Sequence, residues 1–188
     1  MTKLYLLSGG YGAGKTYFCH RMVGISNTVA LATDIKSDLF KIFKDTRFHS
    51  TKQEDKDSLV SEEDLLRVIK KERVKDIPIS IFRKFTTALA ELKDLRTLSV
   101  KNVMQIYGGC GRSLNKHYWV NRTIERLAEC KGDIAVDDVR FVNEFGQLNK
   151  WALKNNINVV VLWAGVPDAE YNNLILRDMA EYTITWEK

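Results

Sequence analysis

The 188-residue chain reads as an α/β protein, a doubly wound parallel sheet of about five strands interrupted by a long helical insert. Three observations predict it. The apolar run Lys3-Leu4-Tyr5-Leu6-Leu7-Ser8 passes into a glycine-rich loop and then into Tyr17 to Val23, a segment free of Gly and Pro that continues as a helix. Asp133 to Val136 reads as a buried strand, and Ile157 to Trp163 is a nearly continuous apolar run, as a central parallel strand covered on both faces has to be. Apolar stripes at helical spacing separate these runs. Helices therefore alternate with buried strands, and ligands are expected at the strands' carboxyl ends.

The remaining elements follow in order. Thr28 to Ala32 is a second short strand, leading through Thr33-Asp34-Ile35-Lys36 into a helix marked by Leu39, Ile42 and Phe43. Residues 45–60 are almost wholly polar, with the mixed charges of a mobile surface loop. Ser61-Glu62-Glu63-Asp64 is a helix start with a capping-box variant, followed by Leu65, Leu66, Val68 and Ile69. Phe82, Phe85, Leu89 and Leu92 share a helical face and predict a buried stripe rather than a binding box. Trp119, Val120, Ile124, Leu127 and Ala128 mark a helix ending near Lys131-Gly132. Phe145, Leu148 and Ala152 mark the next, and Tyr182 to Thr185 is a last strand. One domain is expected, with a core of residues 1–44 and 116–188 and an insert of residues 45–115.

Composition narrows the class. With 45% hydrophobic residues the chain can bury one sizeable core, and no apolar run approaches the ~20 residues that span a bilayer. The N-terminus enters a strand and loop at once, so no cleavable leader and a cytoplasmic location are expected, without a membrane partner. Cys19, Cys110 and Cys130 are too few and scattered for a disulfide framework or a zinc cluster, and read as small buried residues. His20, His49 and His117 lack metal-ligand spacing, and His20 is expected to face away from the loop. The net charge of +5 suits a pocket for several phosphates or a nucleic-acid surface; the spread of Lys and Arg along the chain favours the former.

Gly9-Gly10-Tyr11-Gly12-Ala13-Gly14-Lys15-Thr16 satisfies G-x-x-x-x-G-K-[ST] between a strand and a helix, where backbone N–H groups and a helix N-terminus converge on phosphate. Gly10, Gly12, Ala13, Gly14, Lys15, Thr16 and Tyr17 are the expected nucleotide-triphosphate contacts. Lys15 would reach the β- and γ-phosphates, and the Thr16 hydroxyl would ligate Mg²⁺. Asp137 and Asp138 close a hydrophobic strand downstream of this loop, the placement that holds the water shell of Mg²⁺. Arg140 follows in the loop, where a guanidinium can neutralise a transferring phosphoryl group.

These residues resemble a family. Asp137-Asp138-Val139-Arg140-Phe141-Val142-Asn143-Glu144 is similar to the Asp-Val-Arg-Phe-x-Asn-Glu motif of bacteriophage deoxynucleoside monophosphate kinases. Gln105-Ile106-Tyr107-Gly108-Gly109, then Arg112, then Tyr118-Trp119-Val120-Asn121, resembles that family's Leu-Gln-x-x-Gly-Thr…Arg…Trp segment. Ala32-Thr33-Asp34-Ile35-Lys36 resembles its Ala-x-x-x-Lys segment. The resemblance implies a P-loop kinase that moves the γ-phosphoryl group of ATP to a dNMP under the helical insert, with a short lid at 164–181. By positional match Lys36, Lys101, Gln105, Arg112, Trp119, Asp138, Arg140 and Glu144 surround the acceptor, and Lys15, Arg140, Arg112 and Arg177 stabilise the transferring group. Val100-Lys101 departs from the family's Pro-Arg, Gly109 replaces its Thr, and Arg177 is the one basic residue of the lid segment. Two other readings are carried forward: a P-loop kinase acting on a DNA hydroxyl or modified base, and a non-enzymatic nucleotide-binding module. A homodimer is left open.

Overall fold

Strands buried on both faces need helices on both sides, and the first unit of the structure is built that way. The computed structural model describes residues 2–10, 13–165 and 178–184. It forms two compact units, one of Met1–Leu31 with Val120–Lys188 and one of Ala32–Trp119. In the first, β1 (Lys3–Gly9) lies between β3 (Ile134–Asp137) and β4 (Asn158–Ala164), parallel to both. β2 (Thr28–Ala30) pairs parallel outside β3, and the three-residue β5 (Tyr182–Ile184) pairs parallel along β4. The order is β2-β3-β1-β4-β5. The chain thus builds to one side of β1 and then to the other, and β1 is the topological switch point.

The strand period of two sorts side chains between the faces. Leu4, Leu6, Ile134 and Val136 pack with Val120 and Leu127 of α7 (Tyr118–Leu127) and with Leu148 and Ala152 of α8 (Val142–Lys154). Leu7, Ala135, Val160 and Leu162 pack instead against Cys19 of α1 (Lys15–Val23). Asp137 is the next residue of β3 on that second face. A carboxylate is therefore carried to the carboxyl end of the sheet, beside the start of α1.

The second unit is all helical: α2 (Thr33–Phe43), α3 (Gln53–Asp57), α4 (Glu62–Ile69), α5 (Ile79–Ala90) and α6 (Val100–Leu114). Ser61 caps α4, its hydroxyl accepting the Asp64 N–H at 3.1 Å, as its sequence predicts. Phe82, Phe85 and Leu89 form the expected buried stripe of α5, while Leu92 falls beyond the helix and is exposed. α2 packs with this unit, so the helical part begins at Ala32, not at residue 45.

One feature departs from the sequence reading. Residues 45–60 are structured: Phe48 is fully buried against Phe43, Asp45 caps a short 3₁₀ turn at Thr46–His49, and α3 follows. Burying one phenyl ring stabilises by about 1.5–3 kcal/mol, enough to anchor a polar segment that a loop composition would leave mobile. α6 runs for 15 residues through Gly108, Gly109 and Gly111, a stretch whose glycines argue against a helix. Packing overrides propensity there. A Cβ on Gly111 would stand 2.6 Å from the Trp119 ring, so only glycine admits the indole, whose Nε1 donates to the Gly108 carbonyl at 2.8 Å. A capping box of Ser99 and Asn102 starts the helix.

Candidate functional site

In the sheet unit the motif residues meet at the carboxyl ends of β1 and β3. β1 ends at Gly9, where φ is 137° and a Cβ would lie 2.0 Å from the Ala164 carbonyl oxygen, so the first motif glycine is sterically required. Gly14 precedes α1, and Lys15 is its first residue. The Lys15 ammonium turns back over the loop, donating to the carbonyls of Gly9 at 3.1 Å and Gly10 at 2.8 Å and pairing with Asp138 Oδ1 at 3.4 Å. Ala13 N–H donates to the Gly10 carbonyl, and Tyr17 is exposed on the first turn of α1. Gly12 lies outside the described residues.

The two acids at the end of β3 are held differently. Asp137 is 5% exposed, and its Oδ2 accepts the Thr16 hydroxyl. Its Oδ1 is buried without a hydrogen-bond partner among the described residues. Burial drives the Asp137 carboxyl above its ordinary range; the Thr16 hydrogen bond opposes this, the neighbouring Asp138 charge adds to it, and Lys15 and His20 offset part of it. An orphaned oxygen on a desolvated acid costs about 1–3 kcal/mol, and a cation or a water delivered by one would satisfy it. Asp138 turns the other way, with a φ of 65°. The hydrogen bond from Val139 N–H to the Leu7 carbonyl at 2.8 Å keeps the chain along β1 while Asp138 faces Lys15. Left-handed backbone at a residue other than glycine costs on the order of 1–3 kcal/mol and concentrates at working sites.

Arg140 grips Asp138 Oδ2 with both Nε, at 2.7 Å, and Nη2. Its backbone is fixed from α8: Glu144 Oε2 accepts the N–H groups of Arg140 and Phe141, each at 3.0 Å. Glu144, matched to the acceptor site by sequence, here holds the loop that presents Arg140. His20 lies half-buried one turn beyond Thr16 on α1. Cys19 is inert, its thiol pushed up to about 12 by burial and then by the Asp137 charge.

In the helical unit, Lys101, Gln105 and Arg112 follow spacings of four and seven along α6 and share one face. Lys101 and Gln105 are exposed and Arg112 is half-buried. The Arg112 guanidinium folds back over Gly108, with Nη1 3.4 Å from where a Cβ would stand, and Ile35 Cδ1 reaches the same spot at 3.2 Å. That contact seats the first turn of α2 there, and with it Lys36, whose Nζ is 3.5 Å from the Ser50 carbonyl oxygen. Trp119 is separate. It is 3% exposed, in contact with Tyr107, and part of the core. Arg177 lies outside the described residues, as does most of segment 164–181.

Among the described residues no three His, Cys, Asp or Glu side chains converge on one point. The site offers a hydroxyl and one desolvated carboxylate, the hard oxygen donors with which Mg²⁺ keeps most of its waters, rather than a closed protein cage. No helix among the described residues is long and apolar enough to cross a membrane. No protein-family model matches the chain, and no curated protein matches it.

Proposed function

We propose that the protein is an ATP-dependent phosphotransferase, a P-loop kinase that converts a deoxynucleoside monophosphate to the diphosphate. One observation carries the reading. Lys15, first residue of the helix after the glycine loop, spans the loop carbonyls and Asp138, while Thr16 beside it engages the buried Asp137. A cation, a hydroxyl and two carboxylates are thereby collected at the switch point of a parallel sheet, where such folds take phosphorylated ligands.

The chemistry follows from charge. The bond from the γ-phosphorus of ATP to its bridging oxygen breaks, ADP leaves with the electron pair, and an oxygen of the acceptor phosphate forms the new bond. That phosphate is already largely dianionic at neutral pH, its second pKa being near ~6, so no general base is required. The obstacle is two anions brought together, and catalysis is alignment plus neutralisation. Lys15 exchanges the Gly9 and Gly10 carbonyls for phosphate oxygens, and Arg140 turns its fork from Asp138 to the transferring group. Lys36, Lys101, Gln105 and Arg112 supply the donors for the acceptor nucleotide, and Arg177 supplies a further cation from the lid. Thr16 and Asp137 would hold Mg²⁺, which neutralises charge on the β- and γ-phosphates when bound.

Thin-layer separation after incubation with γ-labelled ATP and Mg²⁺ tests this. Label on free dNMPs is expected. Label on polynucleotide alone would replace the reading with a kinase for a DNA hydroxyl, and no transfer would leave a nucleotide-binding module.

A further inference from the structure

One cluster of positive charge is left unused by the phosphotransfer reading. A depression of about 440 Å³ in the helical unit is lined by Lys41, Lys44, Lys71, Arg73, Val74, Lys75 and Asp76. Five basic side chains stand there against one carboxylate, in a chain whose whole net charge is +5. The lining takes Lys71, Arg73 and Lys75 from one run and leaves the intervening Glu72 outside it. Along α2, Lys41 and Lys44 lie about 8 and about 12 Å from Lys36 at 1.5 Å per residue, so the depression belongs to the opposite end of that helix.

An ordinary structural role accounts for part of this. Lys71 Nζ donates to the Ile42 carbonyl at 2.9 Å and Arg67 Nη2 to the Phe43 carbonyl at 3.4 Å, so both close the negative end of α2. It does not account for Lys41, Lys44, Arg73 and Lys75, whose side chains have no carboxylate partner among the described residues. Crowding is felt at Lys71, whose ammonium is held below the ordinary lysine range by burial and then by Arg67 and Lys44, with Asp64 offsetting a little. The backbone is also unusual. Lys44 and Asp76, with φ of 61° and 62°, are two of the four described residues other than glycine in the left-handed region, and a third is Asp138.

We propose that this depression binds the phosphodiester backbone of nucleic acid. Uncompensated cations held on a folded frame gain by releasing the counterions of a polyanion, a term that needs no base contact. A lipid surface fits less well. The lining is concave, and its one apolar member, Val74, packs into the core of the unit and leaves nothing to insert between acyl chains. The site stands independently of the phosphotransfer reading and needs neither ATP nor Mg²⁺.

The test is fluorescence anisotropy of a labelled single strand of about 12 nucleotides, titrated with the full chain between about 50 and about 200 mM salt without nucleotide. The expected result is sequence-independent binding that weakens as salt rises. The double substitution Arg73→Glu with Lys75→Glu should weaken it at least tenfold at low salt and cut the slope of log K against log salt by about 2. Arg73→Lys with Lys75→Arg should retain it, which separates lost charge from lost fold. Three results would each overturn the proposal: no binding by the wild-type chain at low salt, equal binding by the charge-reversed chain, or capture by vesicles of anionic lipid but not by the oligonucleotide. Displacement by inorganic tripolyphosphate as effective per molecule as by the oligonucleotide would overturn the backbone assignment in favour of a small polyphosphate.

Discussion

Two buried acids, Asp38 in the helical unit and Asp137 in the sheet unit, are held in different ways. The Tyr107 hydroxyl donates to the fully buried Asp38 at 3.1 Å, and in the same unit the Trp119 indole donates to the Gly108 carbonyl at 2.8 Å, although Asp34 Oδ2 there is buried without a hydrogen-bond partner among the described residues. In the sheet unit the Asp137 carboxylate is nearly as buried but has one oxygen without a partner among the described residues, and Lys15 is held by two carbonyls and one acid. The first arrangement closes a core. The second leaves one carboxylate oxygen without a partner, which a bound cation would meet.

Lys15→Ala should have the largest effect and should act on turnover, not on folding. We expect kcat for dNMP phosphorylation to fall about 10²-fold or more, because Lys15 stabilises charge at the β–γ bridge as the bond breaks. Its melting temperature should stay close to that of the wild type. Near-normal turnover would remove the loop from the mechanism.

Tyr107→Phe should behave in reverse. Removing the hydroxyl leaves the buried Asp38 short of a donor and should cost about 1–3 kcal/mol, read in urea denaturation, with ATP affinity unchanged. A loss of ATP affinity with unaltered stability would break the distinction between the units.

A finer comparison sets Arg140→Lys against Arg83→Lys. Lysine keeps the charge of Arg140 but not the fork that now engages Asp138, so kcat should drop roughly tenfold. Arg83 is exposed on α5, and its substitution should leave kcat unchanged. Equal, mild effects would return Arg140 to the surface.

The smallest effect lies in acid. Burial raises the Asp45 carboxyl, but the Arg47 side-chain and backbone hydrogen bonds and the Arg47 charge outweigh it and hold the pKa below the ordinary range. The folded state therefore binds this proton less readily than the unfolded chain. Its stabilisation is complete above the unfolded-state pKa and is lost as pH falls through the lowered one. Being largely solvent-screened, it amounts to under about 1 kcal/mol. Asp45→Asn should flatten the acid side of the stability curve by that much, and an unchanged profile would show the pair to be idle.

Much of this was legible beforehand, for local reasons. The glycine loop, the alternation at β1, β3 and β4, and the Ser61 cap are signals written within a few residues of where they act. What was missed depended on packing, which composition does not report: Phe48 looks like one aromatic in a polar stretch until Phe43 covers it.

By itself, then, the sequence determined an α/β chain with a glycine loop between its first strand and first helix, because backbone periodicity and glycine sterics are local properties. Only the tertiary structure decided how adjacent acids divide their partners. Successive residues of a strand face opposite ways, and the left-handed turn at Asp138 sends it to Lys15 and Arg140 while Asp137 stays buried with Thr16. It also decided that Lys41 and Lys44 meet Lys71, Arg73 and Lys75 at one end of α2. Charge density is a property of positions in space, and no composition or spacing reports it.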